Sequence, residues 1–198
     1  NNSWLYYYFL VFFGKTDNER PDSKFDVVNC QFVVHYFFEN DTTITNFCEN
    51  LNRYLDDYGY LLLTTVDGDI VNNLFNKYNG AISSNYITPE GDEKIFFEMK
   101  RKYDKTDDIY RTGLPLDVHI STISEDGVYI TEYIVDKKYL EKILYDKCGM
   151  VLVETDLFLN IYNNHKSFFE ESADNEETIK TKEFYMKVKQ FYDMNDKV

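Results

Sequence analysis

The chain has 198 residues, 43% of them hydrophobic and 18% aromatic, with 35 acidic against 21 basic side chains and a formal net charge of -14. This is enough apolar material for one domain with a substantial core and too little for two ordinary ones. The charge excludes a protein that holds long nucleic acid through many phosphates, since such binding depends on Lys and Arg displacing counterions; a nucleic-acid role would need a small footprint.

The apolar run from Trp4 to Phe13 is about half the roughly 20 residues of a membrane-spanning helix and lacks the basic flank of a signal peptide, so it reads as a buried strand. Tyr6 to Tyr8 read as filler. Residues 25–30 form a second apolar strand, and Asp41 to Asp57 place Ile44, Phe47, Leu51, Tyr54 and Leu55 on one helical face. Asp41, Thr42 or Thr43 is the expected cap of that helix, and Gly59 lies just beyond its expected end. Tyr60 to Thr65 follow as a strand closed by an Asp-Gly turn. Strand, helix and strand in this order imply a parallel pair with a right-handed crossover.

Ile70 to Tyr78 read as a short helix with Ile70, Leu74 and Phe75 inward. Between Gly80 and Gly113 the periodicity fades, with "KIFFEMK" as one strand. "PLDVHIST" and "VYITEYIV" alternate around "ISEDG" as an antiparallel hairpin. Tyr139, Leu140, Ile143, Leu144 and Cys148 share a helix face that stops at Gly149, and "MVLVETDLF" is the next strand. The acidic run at 170–177 reads as an exposed loop and the stretch from Thr181 as a helix. The first half is therefore parallel α/β and the second an antiparallel addition.

Cys30, Cys48 and Cys148 are odd in number and lack the paired short spacing of a zinc site or disulfide framework, which points to a reducing compartment and no metal. His119 and His165 show no partner pattern. In an open α/β sheet, ligands lie beyond the carboxyl ends of the strands. Gln31, Phe32, His35 and Tyr36 fall at one such end and Thr65 to Asp69 at its neighbour, so two polar strand ends should meet at one crevice.

"FDVVNCQFVVHYFF", followed by "YGYLLLTTVDGD" and then "YITEYIV", resembles the guanine-N7 mRNA cap methyltransferases, and is most similar to the methyltransferase domain of capping enzymes of large DNA viruses such as poxviruses. The resemblance runs from about Phe25 to Phe158. It implies a class I, Rossmann-like α/β sheet and S-adenosylmethionine as methyl donor. It places Gln31 and Tyr36 against that cofactor, and Phe32, His35, Tyr36, Glu132 and Tyr133 around the cap guanine. It further implies 5′-capped mRNA as partner, together with other capping-enzyme domains or a stimulatory subunit and no membrane. The implied location is a cytoplasmic viral factory or the virion, or the nucleus for a cellular protein.

Guanine offers N1–H and an amine as donors, which an ionised carboxylate accepts, and an aromatic face stacks on the base. Guanine N7 carries a lone pair and no proton, so transfer needs alignment and no catalytic acid or base. Taken singly, His35 reads as a structural histidine, Phe32 as core filler and Glu132 as a solvated strand-edge carboxylate. Their order along the chain separates them from that reading.

The family's Gly-rich cofactor turn and its acidic ribose partner do not occur upstream of Phe25, and the eight glycines are scattered. The expectation is therefore a single partial methyltransferase domain over 1–198, incomplete at both ends and inactive in isolation. The alternative is a methyltransferase-like regulatory or scaffolding subunit without catalysis.

Overall fold

The computed structural model describes residues 7–11, 24–87 and 91–172. Among them two four-stranded sheets form. The first has the order β2-β3-β1-β8, from β1 (Tyr7–Val11), β2 (Phe25–Gln31), β3 (Leu55–Val66) and β8 (Glu154–Leu157). The second has the order β4-β5-β6-β7, from β4 (Ala81–Ile87), β5 (Glu93–Arg101), β6 (Pro115–Ile120) and β7 (Ile130–Tyr133). The architecture is mixed α/β, consistent with the expected Rossmann-like sheet. Its parallel part is the β2–β3 pair, while β1 runs antiparallel to both β3 and β8.

The crossover between β2 and β3 consists of a single turn, α1 (Val34–Phe37), and the longer α2 (Asp41–Tyr54). Asn40, not Asp41 or a threonine, caps α2: its side-chain oxygen accepts from the amides of Thr42 and Thr43 at 3.0 Å, and the Thr43 hydroxyl accepts from the Asn40 amide. Ile44, Phe47, Cys48 and Leu51 form its buried face. The helix ends at Tyr54 and runs into β3 with no loop, so Leu55 is a strand residue and Gly59 lies inside that strand. A Cβ on Gly59 would meet the Leu55 side chain at 2.2 Å, which is why the strand carries a glycine there.

The Asp-Gly pair after β3 opens a helix rather than a turn. Asp67 accepts from the Ile70 amide at 2.9 Å and caps α3 (Gly68–Lys77), whose buried face is Gly68, Val71 and Phe75, with Ile70 and Leu74 half-buried. Between Gly80 and Gly113 two strands form where one is expected, because the polar β4 pairs with β5 and hides little beyond Ile82. The β6–β7 hairpin forms as expected. In α4 (Lys137–Cys148), Asp136 caps the start and left-handed Gly149 closes the end, with Gly149 and Met150 amides donating to the Tyr145 and Leu144 carbonyls. β8 is shorter than its apolar run, and α5 (Phe158–Ser172) reaches into the acidic segment expected as a loop. The expected helix after Thr181 lies outside the described residues. All three cysteines are free thiols.

Two apolar clusters result. One joins β2 and β3 to α1, α2 and α4 through Val34, Phe38, Phe47, Leu61, Leu63 and Leu144; the other joins α3 to the second sheet through Val71, Phe75, Phe97, Met99 and Leu116. They meet at consecutive residues, Ile134 in one and Val135 in the other. There the Gly68 amide donates to the Val135 carbonyl at 3.2 Å, and a Cβ on Gly68 would stand 2.3 Å from that oxygen.

An alanine in the first turn of a helix normally stabilises relative to glycine, by up to about 1 kcal/mol. Here the obstacle is backbone, so Gly68→Ala should instead destabilise the full-length protein by at least about 2 kcal/mol in denaturant unfolding. A stabilised variant would show that the approach of α3 to residue 135 is not tight.

Candidate functional site

The carboxyl ends of β2 and β3 lie side by side, with Gln31 paired in register to Thr64. Beyond β2 the chain turns sharply into α1 at Phe32, which has a left-handed φ of 53°. Such a conformation costs a non-glycine residue on the order of 1–3 kcal/mol and persists only where neighbours impose it. The Phe32 amide donates to both oxygens of buried Thr64, the carbonyl at 3.1 Å and the hydroxyl at 2.9 Å. The Phe32 ring is 46% exposed and meets Phe158 edge-on at 6.1 Å.

The single turn of α1 divides its side chains. Val34 goes to the core, Tyr36 is exposed, and His35 is buried with its ring 4.2 Å from that of Tyr36. The pleat of the second sheet sets the other wall: Leu116 and Glu132 are opposite partners on one face of β6–β7, so Glu132 points toward α1. Its Oε1 lies 3.6 Å from His35 Nε2, too far for a hydrogen bond, and that nitrogen is buried without any hydrogen-bond partner. Thr65 from β3 lines the same small void, about 10 Å³, together with His35, Val66 and Glu132. The two strand ends do converge.

Desolvation governs both titrating groups. Burial pushes Glu132 up to about 7 and His35 down to about 4. An ion pair would shift each the other way, so the close approach is not a salt bridge: at neutral pH the imidazole is uncharged and the carboxyl is divided between its two forms. Burial, and then the charge of Glu132, raise the Tyr36 phenol.

Gln31 stands slightly apart and donates from Nε2 to Asn29 Oδ1. Tyr133, next to Glu132 in β7, borders the same void; burial, and then the Glu39 carboxylate, raise its phenol. The strand-to-helix glycine after β3, Gly68, packs on residue 135 and leaves no room for a ligand. Gln31 and Tyr36 set an amide and a phenol at the carboxyl edge of β2, and no glycine cradle lies after β2 among the described residues. His119 is buried with Nδ1 2.8 Å from the Val128 carbonyl, and His165 is exposed. No group of described His, Cys, Asp or Glu residues could hold a metal, and no described helix is long and apolar enough to cross a membrane. Thr64 carries no sequence signal for its grip on Phe32, apart from lying at a polar strand end.

A polar, aromatic-lined crevice at the strand ends of a Rossmann-like sheet is the place where S-adenosylmethionine-dependent methyltransferases, like other proteins of this architecture, bind their ligands. The family model described as the mRNA (guanine-N(7))-methyltransferase domain matches residues 10–190, and the chain belongs to that family. A probable mRNA-capping enzyme of Acanthamoeba polyphaga mimivirus is 43% identical over 150 residues, which are 76% of this chain and 13% of that protein's length. The chain therefore spans about an eighth of this relative. The family takes S-adenosylmethionine as methyl donor and acts on the mRNA cap.

The raised carboxyl generates a stability prediction. A pKa that is higher folded than unfolded means the fold favours the protonated acid; that contribution is complete below about pH 4.5 and is lost as pH rises through about 7. His35 has the opposite slope, stability rising between about pH 4 and 6.5. Glu132→Gln removes only the first effect, so this variant should melt above the wild type at pH 8, by up to about 3 kcal/mol of stability, with the gap closing below pH 5. Equal melting temperatures at both pH values would contradict a desolvated Glu132.

Proposed function

We propose that the protein transfers a methyl group from S-adenosylmethionine to N7 of the 5′-cap guanine, and that His35 and Glu132 form the wall that receives the base. The observation that carries this reading is a buried, unpartnered imidazole nitrogen 3.6 Å from a largely desolvated carboxyl. Buried polar groups left short of partners are unfavourable in the free fold and favour a ligand that completes them.

Guanine has the matching edge. Its N1–H and exocyclic amine donate to the ionised Glu132, and the neutral His35, with a proton on Nε2, donates to the guanine carbonyl oxygen. Phe32 and Tyr36, both exposed, offer faces for the base, worth about 1–3 kcal/mol per stacked ring. Tyr133 adjoins this wall beside Glu132 in β7, and Gln31 and Tyr36 border the methyl donor. The sulfonium of the donor, when bound, supplies an electrophilic methyl and a good leaving group. N7 already has a free lone pair, so the protein's contribution is orientation and exclusion of water, with no residue moving a proton.

Two consequences can be measured on the full-length protein. His35→Ala and Glu132→Ala should each lower methyl transfer to capped RNA at least about tenfold with the fold retained, while Phe32→Ala chiefly raises KM for the cap; unchanged transfer in either of the first two removes that residue from the wall. Because guanine selects the carboxylate, cap affinity should rise with pH through about 7, and Glu132→Gln should flatten that profile. A fold carrying fourteen net negative charges should also bind the cap with a shallow salt slope, about -1 to -2 in log K against log salt. Full-length protein that binds neither S-adenosylmethionine nor a cap analogue in calorimetry would favour the regulatory alternative.

A further inference from the structure

We propose that Thr64 is a positioning residue for the cap-facing ring of Phe32, a role that deepens the reading above and rests on it. Thr64 is not exposed to the crevice. It is 1% accessible, sits in β3 as the register partner of Gln31, and directs both its carbonyl and its hydroxyl at one donor, the Phe32 amide. That amide belongs to a residue at φ 53° that carries a bulky side chain. Phe32 and Asn79 are the described non-glycine residues with positive φ, and asparagine tolerates that conformation far better than phenylalanine does.

The chain on either side is held by other means. β2 is fixed by its ladder to β3, and α1 by Val34 and by Phe38 just beyond it, both in the core. Phe32 is the hinge between these fixed pieces, and the two-oxygen grip selects its left-handed state over the extended one. The ring direction follows from φ. In the left-handed state the ring stands out of the sheet end, nearly half exposed, with its edge toward Phe158. Without the hydroxyl the amide keeps a single, longer bond to the carbonyl, and the ring's orientation is no longer unique.

Thr64→Val keeps the β-branched shape and the carbonyl and removes only the hydroxyl. In the full-length protein it should raise KM for capped RNA about fivefold, the scale of one hydrogen bond, with kcat nearly unchanged, and Thr64→Ser should restore KM to within about twofold. In a Phe32→Ala background the same Thr64→Val change should move KM less than about twofold, since its effect passes through the missing ring. A merely structural threonine would lower the melting temperature and act equally in both backgrounds, and that result would overturn the proposal.

Amide exchange at residue 32 gives a readout independent of the cap. Thr64→Val should speed it about tenfold, while unchanged exchange overturns the grip. If Phe32→Ala alone leaves KM for the cap unaltered, Phe32 is not a cap residue and the larger reading loses it, whereas the exchange measurement still decides whether Thr64 fixes the backbone there.

Discussion

Gly68 and Val135 touch backbone to backbone, and the geometry of the crevice depends on that touch. On one side, Gly68 is the first residue of α3 and follows β3 by a single capping residue; on the other, Val135 precedes the capping residue of α4 and is separated from the end of β7 by Ile134 alone. The amide-to-carbonyl bond between them therefore fixes the carboxyl end of one sheet against the exit of the other. Buried Asp67 and Asp136 cap the two helices that leave this junction. His35 is held by the first sheet's crossover and Glu132 by the second sheet's hairpin, so their separation is set by the contact between the sheets. No interaction within either sheet could set it.

Placing a carboxyl and an imidazole together with little water is unfavourable, and the molecule meets that by leaving the imidazole uncharged and lifting the carboxyl to about 7 rather than by pairing them. In the proposed site that would confer selectivity. A ligand with two adjacent donors would convert Glu132 to its charged form where charge is otherwise disfavoured, and a base lacking one of those donors would leave the carboxylate short of a partner. Discrimination by unpaired buried groups exceeds what apolar contact alone achieves.

Strong periodicity made much of the fold legible from residues alone: the apolar β2, the Ile44, Phe47 and Leu51 face of α2, the alternating β6–β7 hairpin, and α4 with its Gly149 stop. The errors arose where local chemistry was ambiguous. Asn40, Asp41, Thr42 and Thr43 are all competent caps, and only geometry picks Asn40. Asp67-Gly68 has turn composition, yet the glycine is needed for close approach and the aspartate for a cap. β4 is polar because it lies at a sheet edge, and so lacks the apolar run that announces a strand. At the site, the crevice followed from the two strand ends. Glu132 was identifiable only through family resemblance, since one glutamate in a short strand carries no sign of the imidazole it will meet. The left-handed Phe32 had no sign at all, because aromatic residues have no preference for that conformation.

The strand–helix–strand segment from Phe25 to Val66 is contiguous, and α2 passes into β3 without a connecting loop. Its parallel pairing closes within this one segment and one apolar cluster. Glu132, by contrast, reaches His35 across most of the chain's ordered length, from a hairpin with its own separate apolar cluster. Assembly of the crevice therefore requires the two apolar clusters to dock. A nascent or partly unfolded molecule would hold most of its secondary structure while still lacking any place for a base, so ligand competence reports on completed assembly rather than on helix and strand content.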